Sequence, residues 1–380
     1  MNGRKTLYIH IGTPKTGTTA IQGFCQDNAE ELARHGYCFP DFTWLCPDFR
    51  SVRNGHFLVE SVKDADGRVC AEAERQIFCR GMERIAELFR TYEAVILSDE
   101  GIWMATFERR KSLWRELAAV REEAGFQVKI IVYLRRQDGY LSSSWNQVVK
   151  MGVEQNAVRS WDEYTAHIPK IRQLNYDKKL GTIAAALGKD NLIVRRYEPG
   201  HFCGGSIYAD FLDAAGLTLT DAYVINKEVR NVRLAGNLHE IKRILNGMKG
   251  LGEEERRFLR ITLVKCAQEP DIQRKYSMFS VEETAEFLEK YREGNRRVAK
   301  EYLGEPDADL FDMDIPDLPR WRRESTLMED DIIRFAGQGF AEMHAENERL
   351  RQELADLKEK LRHPLRTVWH KLWSRFAENE

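Results

Sequence analysis

The chain has no surplus of charge of one sign: 58 Lys and Arg stand against 60 Asp and Glu in 380 residues. Without a broad basic field there is little to draw in nucleic acid, so any anion site must be built locally from a few residues. Cysteine pairs are missing too. The seven cysteines (Cys25, Cys38, Cys46, Cys70, Cys79, Cys203, Cys266) are odd in number and never take the two-residue spacing of a metal knuckle. That argues against a disulfide scaffold and a zinc ribbon and fits a reducing compartment. Long apolar runs are absent as well. The first one, Leu7–Ile11, is too short for a secretory signal or a membrane span, so the protein is expected to stay in the cytoplasm.

What the sequence does have is core material, 43% hydrophobic residues, arranged in alternation. Leu7–Ile11 reads as a strand, followed by a Gly/Pro/Thr turn and a helical pattern through Ile21, Phe24 and Leu32 to a stop at Gly36. Helices follow at about Ala71–Tyr92 and Arg109–Glu123, with strands at Ala94–Ser98 and Val128–Leu134. A helix comes directly after Val128–Leu134; Leu174–Leu187 and Ile207–Ala215 read as further helices around a strand at Asn191–Tyr197. Strands alternating with helices predict an α/β domain over residues 1–312, with a mostly parallel sheet covered by helices on both faces.

From about residue 226 to 303 only helices are signalled, over Leu234–Met248, Glu253–Cys266 and Val281–Tyr302, which reads as a helical cap on that domain. Residues 304–322, with Pro306, Pro316, Pro319 and five Asp, have no period and read as a linker. A coiled coil is expected over 328–362, because Ile333, Phe340, Asn347, Leu354 and Leu361 alternate with Ala336, Met343, Leu350 and Leu357 at heptad spacing. Asn347 in that apolar seam favours two parallel, in-register strands and hence a homodimer; a helix folded back on its own domain is the alternative. Beyond Pro364, residues 365–376 form a basic amphipathic pattern with Trp369 and Trp373 on its apolar face. Such a helix suits the inner face of an anionic membrane and equally a docking groove on its own protein. Removing everything after Pro319 is expected to leave a folded domain.

The chemistry concentrates at Gly12-Thr13-Pro14-Lys15-Thr16-Gly17-Thr18-Thr19, between the first strand and first helix. Backbone amides and the helix dipole converge there on an anion, and Gly12 and Gly17 keep the glycine spacing of a phosphate-binding P-loop. The next position departs from the nucleotide-hydrolysing pattern. Gly17 is followed by Thr18-Thr19 rather than Lys-Ser/Thr, and the lysine lies upstream at Lys15. This weakens the case for a kinase using ATP and Mg²⁺, whose lysine and metal-binding hydroxyl have fixed places in the loop.

Pro14–Thr19 resembles the 5′-phosphosulfate loop of sulfotransferases that use 3′-phosphoadenosine 5′-phosphosulfate (PAPS), including the heparan sulfate enzymes. Leu134-Arg135-Arg136, with Ser143 eight residues beyond Arg135, is similar to that family's site for the donor's 3′-phosphate. Arg136 and Ser144 keep the same spacing, so the match can slip by one. Together with Asn295–Tyr302, these segments look like a bacterial branch of the superfamily, over about Lys5–Phe311. The resemblance implies a P-loop-type parallel α/β core, PAPS as sulfuryl donor to a hydroxyl or amine, and no metal. The acceptor is set by pocket shape in loops such as Phe39–Phe57 and Met151–Pro169, and a glycan, lipid-linked if the C-terminal helix binds membrane, is the acceptor expected. It implies donor contacts from Thr13 to Thr19 and from Arg135 and Ser143, with Lys15 acting in catalysis.

For a general base the resemblance favours Glu100, one residue past Asp99 at the end of the strand Ala94–Ser98. The carboxyl ends of parallel strands open onto the ligand crevice. Asp99 is the fallback, and a capping carboxylate the plain alternative. His56, a loop histidine whose ordinary pKa suits proton abstraction, is the second candidate base, but a structural or substrate-contact role is favoured for it because nothing in the sequence brings it near Lys15. His10 reads as packed in its strand. Trp103, Trp145 and Trp161 suit sugar stacking or, more readily, core packing. From another class altogether, a coiled-coil scaffold that only senses a nucleotide fits the same motifs without turnover.

Overall fold

The computed structural model describes residues 5–152, 155–166, 172–226, 234–269, 274–324 and 327–362. The expected basic helix at 365–376 lies outside the described residues.

The chain forms two compact units. One comprises Met1–Gln147, Ser160–Asn231 and Met278–Leu318; the other comprises Val148–Arg159, Val232–Ser277 and Pro319–Glu380. In the first, five parallel strands, β1 Thr6–His10, β2 Tyr37–Cys38, β3 Ala94–Ser98, β4 Gln127–Leu134 and β5 Leu192–Arg196, lie in the order β2-β3-β1-β4-β5. Side chains alternate across this sheet, as extended backbone requires. Leu7, Ile9, Val95, Leu97, Val128, Ile130 and Val132 join one core, while Ile96, Ile131 and Tyr133 join the other. With both faces buried, every strand position can be apolar, which explains the continuous run Ile130–Leu134 within β4.

Helices α1 Thr18–Asp27 and α2 Ala29–Arg34 follow β1. They replace the single helix expected up to Gly36. The break is at Asn28, whose Nδ2 donates to the Phe24 and Val224 carbonyls while its Oδ1 accepts from the Val224 amide, so its side chain serves tertiary bonds. The next helices are α3 Ala71–Leu88, α4 Gly101–Glu108 and α5 Leu113–Ala124. Here the helix expected near Arg109–Glu123 begins only at Leu113, and α4 was not expected. Its sequence GIWMATFE is apolar nearly all round and shows no 3.6-residue stripe. The chain continues with α6 Gln137–Met151, whose residues up to Gln147 belong to this unit, and then α7 Trp161–Thr165, α8 Tyr176–Leu187 and α9 Ile207–Ala214.

The region expected as one cap over 226–303 is divided. Helices α10 Gly236–Gly247 and α11 Glu253–Cys266 belong to the second unit, whereas α12 Val281–Val298 belongs to the sheet unit. Asn295 of α12 is buried and exchanges two side-chain hydrogen bonds with Gln137, 2.7 and 3.1 Å long, at the start of α6. Nor is the stretch 304–322 a free linker. Leu310 and Phe311 are buried in the sheet unit's core, and Arg136 Nη1 donates to the carbonyls of Asp312 and Asp314.

In the second unit, the long helix α13 Met328–Arg362 begins as a packed element. Met328 and Phe335 lie on the cluster formed by Leu234, Leu238, Ile241, Leu263 and Cys266. Asp331 is 2% exposed and accepts from Asn237 Nδ2 and Arg274 Nη1. Cutting after Pro319 would therefore strip apolar surface from α10 and α11 and leave Asn237 and Arg274 without this acceptor. The expectation of a clean truncation there does not hold for this unit.

Candidate active site

The strand order places β1 at the sheet centre, with β3 on one side and β4 on the other. The chain runs from β1 to β2 on one side of it and later crosses from β3 to β4 on the other, and such a reversal in an open parallel sheet is where ligands bind outside the strand ends. Three candidate elements therefore meet by topology: the loop after β1, Asp99-Glu100 after β3, and Arg135 after β4.

The loop is held by its neighbours. The amides of Ile11 and Thr13 donate to the Ile131 and Tyr133 carbonyls at 3.0 and 2.8 Å, and the Tyr133 amide donates to the Gly12 carbonyl at 2.6 Å. Gly12 has φ +95°, and a Cβ there would lie 3.1 Å from Glu100 Cβ. Gly17 has φ +74°, and its Cβ would meet Tyr197 Cε2 at 3.2 Å. Both glycines are thus required by backbone conformation and by close approach. Between them Lys15 also adopts a left-handed φ of +69°.

The amides of Thr16, Gly17, Thr18 and Thr19 have no acceptor among the described residues. Thr13 Oγ1 is buried without a partner, whereas Thr16 Oγ1 donates back to the Thr13 carbonyl at 2.5 Å. Open amides at a helix start form a cradle for an anion. The residues present fit a phosphate-bearing ligand.

Arg135 closes the far side. Its Nη1 donates to the Lys15 carbonyl at 3.0 Å, its guanidinium carbon lies 5.8 Å from the centre of the Tyr197 ring, and Tyr176 Oη donates to its carbonyl at 2.6 Å. Burial pushes its pKa below the ordinary arginine value. Arg136 is committed elsewhere, with Nε and Nη2 on Asp138 at 2.9 and 3.0 Å in addition to its two carbonyl bonds. Its companion Ser144 is hydrogen-bonded to Tyr140. Arg136 and Ser144 thus already have partners within the fold. Ser143 is half-buried on α6, one turn before Gln147, which accepts from Lys15 Nζ at 3.3 Å. Gln147 and Tyr197 were missed in the sequence. The available signals were a one-turn spacing from Ser143 and a place at the end of β5.

Glu100 and Asp99 diverge. Glu100 Oε2 accepts from Gln22 Nε2 of α1 at 3.0 Å, beside Gly12. Asp99 is fully buried: Oδ1 accepts from Arg53 Nη2 at 2.7 Å and the Gly101 amide at 2.6 Å, and Oδ2 faces His56 Nδ1 at 2.8 Å. His56 also stacks on Phe49, ring centres 3.4 Å apart, with its Nε2 3.5 Å from Glu60. The sequence placed His56 beside nothing, and the cause is backbone satisfaction. Because β2 pairs with β3 only at Tyr37 and Cys38, the rest of that edge of β3 is open. Asn54 fills it, donating to the Ile96 carbonyl and accepting from the Ser98 amide, while Gly55 donates to the Ser98 carbonyl. Arg53 and His56 are thereby set against Asp99.

His10 is fully buried, with Nδ1 2.8 Å from Ser98 Oγ, and burial pushes its pKa down to about 3, so it stays neutral. Trp103, Trp145 and Trp161 are all buried, which removes them as sugar platforms in this conformation. All seven cysteines are free, no group of three or more metal-ligating side chains occurs among the described residues, and no described helix is long and apolar enough to cross a membrane.

No family model matches the chain. An uncharacterized protein of Archaeoglobus fulgidus is 31% identical over 177 residues, 46% of this chain and 46% of the relative, so the chain spans about half the length of the relative it matches.

Proposed function

We propose that the chain is a cytoplasmic sulfotransferase that moves a sulfuryl group from PAPS to a hydroxyl or amine of a glycan, free or lipid-linked. The observation that carries this reading is the convergence on one loop: open amides of Thr16–Thr19, the Lys15 side chain, and the Arg135 guanidinium hydrogen-bonded to that loop's backbone. An acceptor carboxylate, Glu100, stands beside Gly12 at the same strand ends.

The loop amides, Thr18, Thr19 and Lys15 would hold the 5′ side of the donor, and Arg135 with Ser143 its 3′-phosphate. The donor, when bound, supplies the sulfuryl group. Glu100 takes the proton of the acceptor hydroxyl as its oxygen bonds to sulfur. The bond from sulfur to the bridging phosphate oxygen breaks, and the charge left on that oxygen is met by Lys15 and the loop amides. Asp99 is the weaker base on geometric grounds, since both its oxygens are engaged. Arg136 is the weaker phosphate ligand for the same reason.

Calorimetry tests the donor assignment. The protein should bind 3′-phosphoadenosine 5′-phosphate far more tightly than adenosine 5′-phosphate, with no metal added. Arg135→Ala should erase the difference, at a cost of about 1.5–3 kcal/mol as for hydrogen bonds between charged groups. Equal affinity of the wild type for the two nucleotides, or tight ATP binding that requires Mg²⁺, would end the assignment.

A further inference from the structure

Helix α13 is 35 residues long and carries two separate faces. Met328, Asp331, Phe335 and Glu342 form the face that packs on the second unit. There Glu342 accepts from Thr262 Oγ1 at 3.1 Å and pairs with Lys265 at 2.9 Å. At 100° per residue, the first turns of the heptad seam lie well round from that face. The seam is bare: Ile333 and Phe340 are each 69% exposed, Leu361 is 78% exposed, and Met343, Leu350, Leu354 and Leu357 are exposed too. From Ile333 to Leu361 it runs roughly 42 Å at the helical rise, about four heptads. Over its last two heptads almost every residue of the helix is exposed. A lone helix in water with a continuous apolar stripe is marginal, and a partner helix is what stabilises it.

The flanking charges identify that partner. With Ile333, Phe340, Asn347, Leu354 and Leu361 as first positions of the heptads, Glu346 and Glu353 precede the seam, while Arg351 and Lys358 follow it. In a parallel, in-register pair each preceding position faces the following position of the next heptad on the other strand. Glu346 then meets Arg351 of the second copy, and Glu353 meets Lys358. In an antiparallel pair like positions meet, setting acid on acid and base on base. Asn347 favours the same arrangement, because only in register does its amide meet an identical amide within the apolar seam. We propose that α13 pairs in parallel and in register with the same helix of a second copy of this chain, through Ile333–Leu361.

Sedimentation equilibrium of the full chain tests this, with tryptophan fluorescence monitoring the fold. The wild type should be dimeric at micromolar concentration. Leu350→Glu with Leu357→Glu should be monomeric and keep the wild-type fluorescence. Reversing charge provides the second arm. Glu346→Lys with Glu353→Lys should weaken self-association at least about tenfold, since several attractive pairs become repulsive. Mixing it with an Arg351→Glu, Lys358→Glu chain should restore dimers as mixed pairs. A monomeric wild type, or a dimer that survives the leucine changes, would overturn the proposal. So would charge-reversed chains that pair with themselves as well as with each other, including pairing with antiparallel geometry or with another partner's helix.

Discussion

The two sides of the carboxyl end of β3 make opposite use of polar groups one residue apart. On one side Asp99 is closed in by Arg53, His56 and the Gly101 amide, so its charge and hydrogen-bonding capacity are spent within the fold. On the other side Glu100 accepts from Gln22 and stands by a loop whose Thr16–Thr19 amides face no acceptor among the described residues. The strand ends at Ser98, and Glu100, with φ −69° and ψ −18°, has already turned into the start of α4, which is why neighbours in sequence reach such different surroundings. A cluster of titratable residues whose members satisfy one another is more often a structural joint than a reaction centre. A set of donors without acceptors, gathered at a sheet's switch point, is arranged for something else to complete.

The largest expected effect tests that contrast directly. Glu100→Gln keeps the shape and removes the proton acceptor, so turnover with PAPS and a glycan acceptor should fall by about 10²–10⁴-fold while affinity for 3′-phosphoadenosine 5′-phosphate is retained. Near-normal turnover in this variant would reverse the comparison and make His56, with Asp99 behind it, the base to examine.

The middle effect lies on the closed side. Asp99→Asn removes the charge that Arg53 and His56 share, and should lower stability to urea by about 1.5–3 kcal/mol, the worth of hydrogen bonds to charged groups. Its folded fraction should lose less turnover than Glu100→Gln does. If instead the fold is unchanged and turnover collapses, the closed cluster is catalytic and the distinction between the two sides fails.

How much of this contrast the sequence carries depends on the range of the interaction that builds each part. The strand-loop-helix at Thr6–Asp27 was legible because a short apolar run, two glycines and a helix start are local signals, and the strand lies at Thr6–His10, within a residue of Leu7–Ile11. Helix α13 was legible in full, Met328–Arg362, because a heptad is a local period. The pairing of His56 with Asp99 was not. It follows from a two-residue strand, Tyr37–Cys38, that leaves part of the β3 edge for Asn54 to satisfy, and no local pattern announces so short a strand. The division of the helices between the two units was hidden for a related reason: α10, α11 and α12 are alike in periodicity, and what separates them is the identity of distant partners such as Gln137 for Asn295.

The smallest effect concerns Lys179, which extends the closed side of the comparison to a buried amine with no carboxylate partner among the described residues, held in an aromatic cage of Phe107, Trp103 and Trp114. It is 3% exposed, 4.0 Å from the centre of the Phe107 ring and near Trp103 and Trp114, with Thr106 Oγ1 as its hydrogen-bond partner. Burial pushes its pKa from the ordinary value near 10.5 down to about 7. Between those two values the unfolded chain holds a proton that the folded one has released, so stability rises with pH across that window, and the penalty is fully present below pH 7. Lys179→Met keeps the length and removes the charge, and Thr106 Oγ1 still donates to the Ile102 carbonyl at 2.8 Å. The variant should be more stable to urea at pH 7 by about 1–2 kcal/mol, at the low end of what replacing a buried charge by a packed apolar side chain yields. That advantage should shrink toward pH 10 by up to about 1.4 kcal/mol per pH unit. A variant less stable than the wild type at pH 7, or an advantage that does not change with pH, would mean that Lys179 stays protonated in its aromatic cage and that cation–π attraction outweighs burial there.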